Sequence, residues 1–390
     1  MSQVQPVLPF FEEYMLSING SSSGVLPSQA LRNLVGNQVI YSTQSPITED
    51  QIQPASIDLR LSSTAYCVKA SFLPGKNLSV LDKIKSSELL IETIDITSAN
   101  ILQRGSVYII PLQEVLCLPP NIIGRTNPKS TTGRLDIFVR VISDKGTRFD
   151  ELPKGYNGEL FAEIVPRSFD VKVAADARLT QLRLERVSGR SDSQVNDTVL
   201  RRLGEPLVYS ESEDPLTALI GEGLRLTARI PSRASNEIIG YKAISKGQAI
   251  DLRLVNHYPI ETYWQPINSS RNGSIILNPG DFYILTSKER VRIPNNLAAE
   301  MVSLDQTLGE FRVHYAGFFD PGFGEDIQGT YAVLEVRAHE APFLIEDGQE
   351  VARLVYHKLT ETPDKLYGSR IGSSYQGQGL NLAKQFKRES

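Results

Sequence analysis

Short apolar runs dominate this chain, and most are too short for helices. Val107-Tyr-Ile-Ile-Pro111, Ile137 to Ile142, Phe282 to Leu285 and Ala332 to Arg337 are rich in Val, Ile, Leu, Tyr and Phe. Gly, Pro and Asn punctuate them. Such runs suit a pleated sheet, and helical periodicity is scarce, so the pattern predicts an all-β chain with a few short helices. One helix is predicted over Pro27 to Leu34, with Ser28 near a cap position, and another over Leu81 to Leu90.

The pattern also repeats. Ile-Asp-Leu-Arg-Leu occurs at 57–61 and again at 250–254. Behind the first copy come Leu102-Gln-Arg-Gly105, Leu118-Pro-Pro-Asn121, Lys129-Ser-Thr-Thr-Gly-Arg134 and Leu160-Phe-Ala-Glu163. Behind the second come Leu277-Asn-Pro-Gly280, Ile293-Pro-Asn-Asn296, Val302-Ser-Leu304 and Ala332-Val-Leu-Glu335. One fold is written twice. The expected organisation is an N-terminal tail (1–20), a first repeat (21–190), a connector (191–236), a second repeat (237–360) and a C-terminal tail (361–390). Leu61 to Gly105 spans 44 positions and Leu254 to Gly280 spans 26, which suggests an insertion at about 70–100 in the first repeat.

At 390 residues, two domains are expected in any case. A net charge of −4 argues against a general nucleic-acid binder but leaves room for a small anion held by local cations. Cys67 and Cys117 read as free thiols of a reducing compartment. No apolar run is long enough to span a membrane and no basic signal segment opens the chain, so a cytoplasmic protein is expected. The four histidines make no metal-binding pair, the two cysteines lie far apart, and no P-loop or nucleophile elbow is present. Catalysis is therefore expected to use carboxylates, hydroxyls, Arg, Lys and water, without zinc.

Lys129-Ser-Thr-Thr-Gly-Arg134 supplies two cations, three hydroxyls and a glycine, an inventory that suits a phosphate. The stretch resembles the S-S-x-x-R-L-G motif of the dCTP deaminase and dUTPase superfamily. Pro54 to Leu61 resembles the deaminase family's early strand. Ala316-Gly-Phe-Phe-Asp-Pro-Gly322 resembles the A-x-x-I-D-P-G hairpin, and Val333-Leu-Glu335-Val resembles the strand that carries the catalytic glutamate. Tyr367, Tyr375 and Gln378 match the spacing of the nucleotide-closing tail. The double length resembles the tandem-repeat form of dCTP deaminase.

The resemblance implies two dUTPase-like distorted β-barrels and hydrolytic deamination of dCTP to dUTP and ammonia. A glutamate would activate water for attack at C4. Mg²⁺ would travel on the substrate triphosphate, with no metal held by the protein, and dTTP is an inhibitor candidate. In single-copy relatives the site forms between subunits of a trimer. Here the first copy keeps Lys129, Ser130, Thr131 and Arg134, while the second keeps Ala316, Asp320, Glu335 and the tail. By this correspondence the first copy has Ser143 in place of the hairpin alanine, and the second has Val302 in place of Lys129 and Thr307 in place of Arg134. One composite site is therefore expected within the chain. Ser130, Ala316 and Glu335 would be catalytic. Lys129, Thr131, Arg134, Asp320, Tyr367, Tyr375 and Gln378 would bind base and triphosphate. Glu163 is the secondary candidate for the glutamate, with a structural role favoured.

The tail lysine of the single-copy deaminases is Ser374 here, so one phosphate contact must come from elsewhere, with Arg370, Lys384 and Arg125 as candidates. Homo-oligomerisation stays open. Alternative readings are a dUTP pyrophosphatase using Asp320, a bifunctional enzyme forming dUMP, and a non-catalytic nucleotide sensor.

Overall fold

The computed structural model describes residues 23–188, 193–232, 237–244, 246–303, 311–313, 317–325, 327–338, 340–368 and 379–388. The chain is mostly strand with a few short helices, as the pattern predicts. A helix occurs at Ser28–Gly36, as expected; the second, Val80–Ser86, is capped by Ser79, whose hydroxyl accepts from Asp82 N, and ends short of the expected Leu90, which opens the strand Leu90–Asp95. The N-terminal tail lies outside the described residues.

Two copies of one architecture follow each other. In the first, Asn157–Pro166 lies between Val107–Cys117 and Ile137–Ser143. In the second, Thr330–Ala338 lies between Tyr283–Val291 and Phe311–Val313. A second sheet in each copy pairs Ile122–Pro128 with Thr180–Arg186, or Leu297–Ser303 with Glu350–Lys358. Leu and Ile side chains from both sheets of a copy fill its core.

Hydrogen bonds fix how the copies correspond. Leu118 N donates to Tyr156 O and Ile293 N to Phe323 O, each at 2.8 Å. Arg60 N donates to Glu114 Oε2 at 2.8 Å, and Thr227 N to Glu289 Oε2 at 2.9 Å. Glu163 faces Ile109 across its ladder as Glu335 faces Ile284.

This register corrects the role of the repeated pentapeptide. Ile57–Leu59 pairs antiparallel with Thr180–Arg186, and the segment in the matching position on Glu350–Lys358 is Leu224–Thr227. Ile250–Asp251 does something else: it pairs in parallel with Val171–Val173 of the first copy. Strand identity is set by pairing partner, and a short alternating string can serve in either place.

Three boundaries change with it. Thr64–Val68 and Ile238–Ala243 hold equivalent positions, since Tyr66 pairs with Ile109 and Tyr241 with Ile284. The excursions that follow, from Val68 to Leu90 and from Ala243 to Trp264, are similar in length. The first copy therefore carries no insertion at 70–100 relative to the second. The stretch 191–236 is not a connector either: Val208–Tyr209 and Leu224–Thr227 are strands of the second copy. Finally, Val302 and Ser303 correspond to Asn127 and Pro128, so Val302 does not stand in for Lys129; Thr307 lies outside the described residues.

The copies are fastened to each other by buried groups. Phe169 of the first packs edge-on against Tyr263 and Trp264 of the second, with ring centroids 5.8 and 5.6 Å apart. Arg337 ion-pairs with Asp136 across the interface, and Ser168 Oγ donates to Asp136 Oδ2 at 2.6 Å.

Candidate active site

Both copies contribute to one cavity. Lys129, Ser130 and Arg134 enter from the first, and Asp320, Phe323, Glu335 and Tyr367 from the second. Its volume is about 60 Å³, room for a few waters.

The first wall is the short helix Ser130–Arg134, which follows the strand Ile122–Pro128. Thr132 Oγ1 donates to Leu179 O at 2.8 Å and ties the turn to the barrel. Arg134 is buried, and its Nη1 donates to Asn381 O at 3.0 Å, so the chain's C-terminal segment seats on the motif. Lys129 ion-pairs with the buried Asp58 of the first pentapeptide. Asp58 Oδ1 has no hydrogen-bond partner among the described residues, and burial raises the carboxyl above its ordinary range, against the pull of Lys129.

The second wall is the hairpin around Asp320. Its turn needs Gly322, whose φ is +89°; a Cβ there would lie 3.1 Å from Leu366 Cβ and 3.2 Å from Tyr367 N. Tyr367 N donates to Pro321 O at 2.8 Å, and its ring packs on Phe323 with centroids 5.3 Å apart. In the first copy the corresponding turn is Pro153-Lys-Gly-Tyr156: Tyr156 N donates to Pro153 O as Phe323 N donates to Asp320 O, both at 3.2 Å. Ser143 is therefore not the counterpart of the hairpin alanine; it ends the strand Ile137–Ser143. Pro153 stands where the second copy has Asp320, so the first copy lacks that carboxylate.

Glu335 lies mid-strand in Thr330–Ala338, a strand buried on both faces. It is 5% exposed, and burial pushes its carboxyl up to about 8, against the attraction of Arg134. The surface partners a strand glutamate might take are engaged elsewhere: Arg337 with Asp136 and Arg353 with Glu222. Asp320 is also raised, to about 6, by burial, against the attraction of Arg183.

The structure brings together Lys129, Ser130, Arg134, Asp320, Glu335 and Tyr367. Thr131, on the same helix, lines a neighbouring cavity. Glu163 is buried in its own copy, where Oε1 accepts from Arg140 Nε at 3.2 Å and Nη2 at 2.7 Å. Ala316, Tyr375 and Gln378 lie outside the described residues.

One residue escaped sequence reasoning. Arg183 crosses from the first copy and is 4% exposed. It donates to Ala299 O at 2.9 Å and to Phe319 O at 3.3 Å, lies 3.5 Å from Asp320 Oδ1, and stacks on Phe318 at 4.0 Å. It holds the Asp320 hairpin against the first copy. In sequence it is one polar position of the alternating run Leu182-Arg-Leu184, which reads as a strand with one wet face; only the docking of the second copy buries that face.

Two family models match, together covering most of the chain. The N-terminal domain of 2′-deoxycytidine 5′-triphosphate deaminase matches residues 22–188, and the C-terminal domain of the same family matches 196–386. A crystal structure of 2′-deoxycytidine 5′-triphosphate deaminase from Agrobacterium tumefaciens superposes with a TM-score of 0.82 at 40% identity, over 90% of this chain and 100% of that one. The dCTP deaminase of Natronomonas pharaonis is 35% identical over 129 residues, 32% of this chain and 61% of the relative. The dUMP-forming dCTP deaminase of Halobacterium salinarum is 37% identical over 106 residues, 26% of this chain and 52% of the relative. The match thus spans under two thirds of each of these curated relatives. Matched along both copies and over the whole of a solved structure, the chain belongs to the 2′-deoxycytidine 5′-triphosphate deaminase family.

Proposed function

We propose that this protein deaminates dCTP to dUTP and ammonia at the cavity between its two copies. The observation that carries the reading is Glu335: a buried carboxyl raised to about 8, facing the Lys129-to-Arg134 motif of the other copy. A carboxylate of such basicity can take a proton from water near neutral pH. The hydroxide attacks C4 of the cytosine ring. Glu335 passes that proton to N3, then takes the proton of the new C4 hydroxyl and delivers it to the amine, so that the C4 carbonyl forms as the C–N bond breaks and ammonia departs. The cavity's volume suits a held water. Ser130 and the backbone of Ala316 are the candidate groups for positioning it, and Asp320 and Tyr367 for receiving the nucleoside.

Lys129 and Arg134 supply positive charge for the triphosphate, and Lys129 would exchange Asp58 for phosphate as substrate enters. Mg²⁺ would arrive on the triphosphate as part of the substrate. Tyr375 and Gln378 are proposed to close over it.

A second reading adds hydrolysis of the product to dUMP. Asp320 favours it: a buried carboxylate raised to about 6 in the same cavity could activate a water against the phosphate chain. Incubation of the protein with dCTP, with ammonia and pyrophosphate assayed together, separates the readings. Ammonia alone supports deamination, equal amounts of both support the dUMP-forming reaction, and neither would refute both.

A further inference from the structure

The second pentapeptide belongs to the excursion from Ala243 to Trp264, and among the described residues that excursion lines no part of the Glu335 cavity. It does hold the C-terminal segment in place. Asn256 N donates to Lys384 O at 2.8 Å, His257 N and Tyr258 N donate to Gln385 O at 2.9 and 3.0 Å, and Lys387 N donates back to Tyr258 O at 2.9 Å. Gln385, 1% exposed, sends its Nε2 to Leu252 O inside the pentapeptide at 3.1 Å. Phe386 is buried in a box of three rings, with centroids 5.6 Å from Tyr263, 5.9 Å from Trp264 and 6.4 Å from Tyr258. Leu382 and Ala383 are buried in the same apolar cluster. The last residues of a chain are usually loose unless something ties them down. Here the tie is strong, and it asks what the segment holds in turn.

The residue it holds is Arg134. Asn381, five residues before Phe386, accepts from Arg134 Nη1 through its backbone carbonyl at 3.0 Å. A buried guanidinium takes its place from the acceptors offered to it. A carbonyl orients the group without cancelling its charge, as a carboxylate would. That charge matters to the site, because Arg134 draws the Glu335 carboxyl down against the burial that raises it. The other charges lining the cavity have partners already: Lys129 pairs with Asp58, and Asp320 Oδ1 lies 3.5 Å from Arg183. The separation of Arg134 from Glu335 is therefore the electrostatic setting that the C-terminal segment controls. A line of contacts runs from the pentapeptide through Gln385 and Phe386 to the Asn381 carbonyl, then to Arg134 and Glu335.

We propose that Phe386 is a positioning residue for the reaction: by anchoring the C-terminal segment in the second copy's excursion, it fixes the Asn381 carbonyl and so holds Arg134 in place beside Glu335. The inference rests on the reading of Glu335 as the base that activates water. It gives the excursion a purpose beyond fastening the copies, since the same loop that pairs with Val171–Val173 also sets the geometry of the motif helix.

The test uses the full-length protein with Phe386→Ala and with Gln385→Leu. The first empties the aromatic box. The second removes the bond to Leu252 O while leaving an apolar side chain in its place, and it carries the test where the first does not fold. Titration of the Glu335 carboxyl by NMR with isotope-labelled glutamate, assigned by the signal lost in Glu335→Gln, reads the charge of Arg134 without turnover. The pH profile of kcat/KM for dCTP reads it in the reaction. With the segment loosened, the guanidinium turns to the remaining carboxylate, and the Glu335 midpoint falls by about one pH unit. The inflection of kcat/KM follows it downward, and kcat falls severalfold, because a less basic carboxylate takes the proton less readily. In an Arg134→Ala background neither substitution moves the Glu335 midpoint further, as expected of residues that act through one another. A midpoint that stays or rises in the folded variants, or that falls as far without Arg134, overturns the proposal. A midpoint that falls as expected in a protein whose wild type releases no ammonia from dCTP refutes the deaminase reading and leaves the positioning of Arg134 standing.

Discussion

Burial of Glu335 has consequences for stability as well as reactivity. Its carboxyl rises from an ordinary 4.5 to about 8 in the folded protein. Between those values the folded state binds more protons than the unfolded state, so stability falls as pH rises through that window and levels off above it. Glu335→Gln removes the ionisable group. It is expected to raise the melting temperature, by more near pH 8 than near pH 5, while deamination of dCTP drops by about 10²- to 10⁴-fold. A melting temperature lowered at the higher pH would show that the carboxylate is structurally satisfied after all. The same shift predicts that kcat/KM for dCTP climbs as pH rises through about 8, as the free protein's base form accumulates. Glu163 offers the contrast. It is neutralised by Arg140 in its own copy, so Glu163→Gln should keep most of the activity and be seen in stability measurements instead. Much of this was legible residue by residue: Glu335, the Lys129-to-Arg134 motif, Asp320 and Tyr367 meet as the motif order implied. Arg183 was not, because its burial depends on a partner surface more than a hundred residues away.

At the scale of elements, the two pentapeptides illustrate how sequence identity misleads. Ile57–Leu59 is a barrel strand, and its second-copy counterpart reads Leu-Arg-Leu-Thr. Ile250–Asp251 belongs to an excursion that adds a strand to the other copy's edge. Anchoring on the identical string produced the apparent insertion and the apparent connector together, since both errors follow from one misplaced register. Hydrogen-bonded partners such as Glu114 and Glu289 were the correct anchors, but side-chain pairing across a ladder leaves no trace in a single chain's pattern. Because Ile250 is fully buried in the first copy's core, Ile250→Ala should cost about 2–5 kcal/mol in urea unfolding. Asp136→Ala strands Arg337 without its carboxylate at the interface and should cost about 3–5 kcal/mol. If both variants unfolded like the wild type, the copies would not be fastened in this way.

For the whole molecule, duplication places both walls of the cavity on one chain. The first copy presents cations and hydroxyls, and lacks the hairpin aspartate at Pro153. The second presents Glu335, Asp320 and Tyr367. The C-terminal chain then returns to the first copy: Arg32 pairs with Asp364 at 2.8 Å, and Asn381 O accepts from Arg134. Tyr367 lines the cavity and Asn381 holds its Arg134, so the C-terminal segment bears on the site. The all-β duplicated plan was legible because strand periodicity and recurring turn residues are local. The docking of one copy on the other was not, because the buried polar groups that create it look like ordinary surface residues.

A mixing experiment tests the intrachain site most directly. Arg134→Ala and Glu335→Gln variants, each inactive alone, are co-expressed so that any oligomer contains both, and ammonia release from dCTP is compared with wild type. A site built within one chain predicts no activity above the separate variants, since every chain carries one broken half. Recovery of a substantial fraction of wild-type activity would mean that one chain's motif works with another chain's glutamate, and would contradict the account.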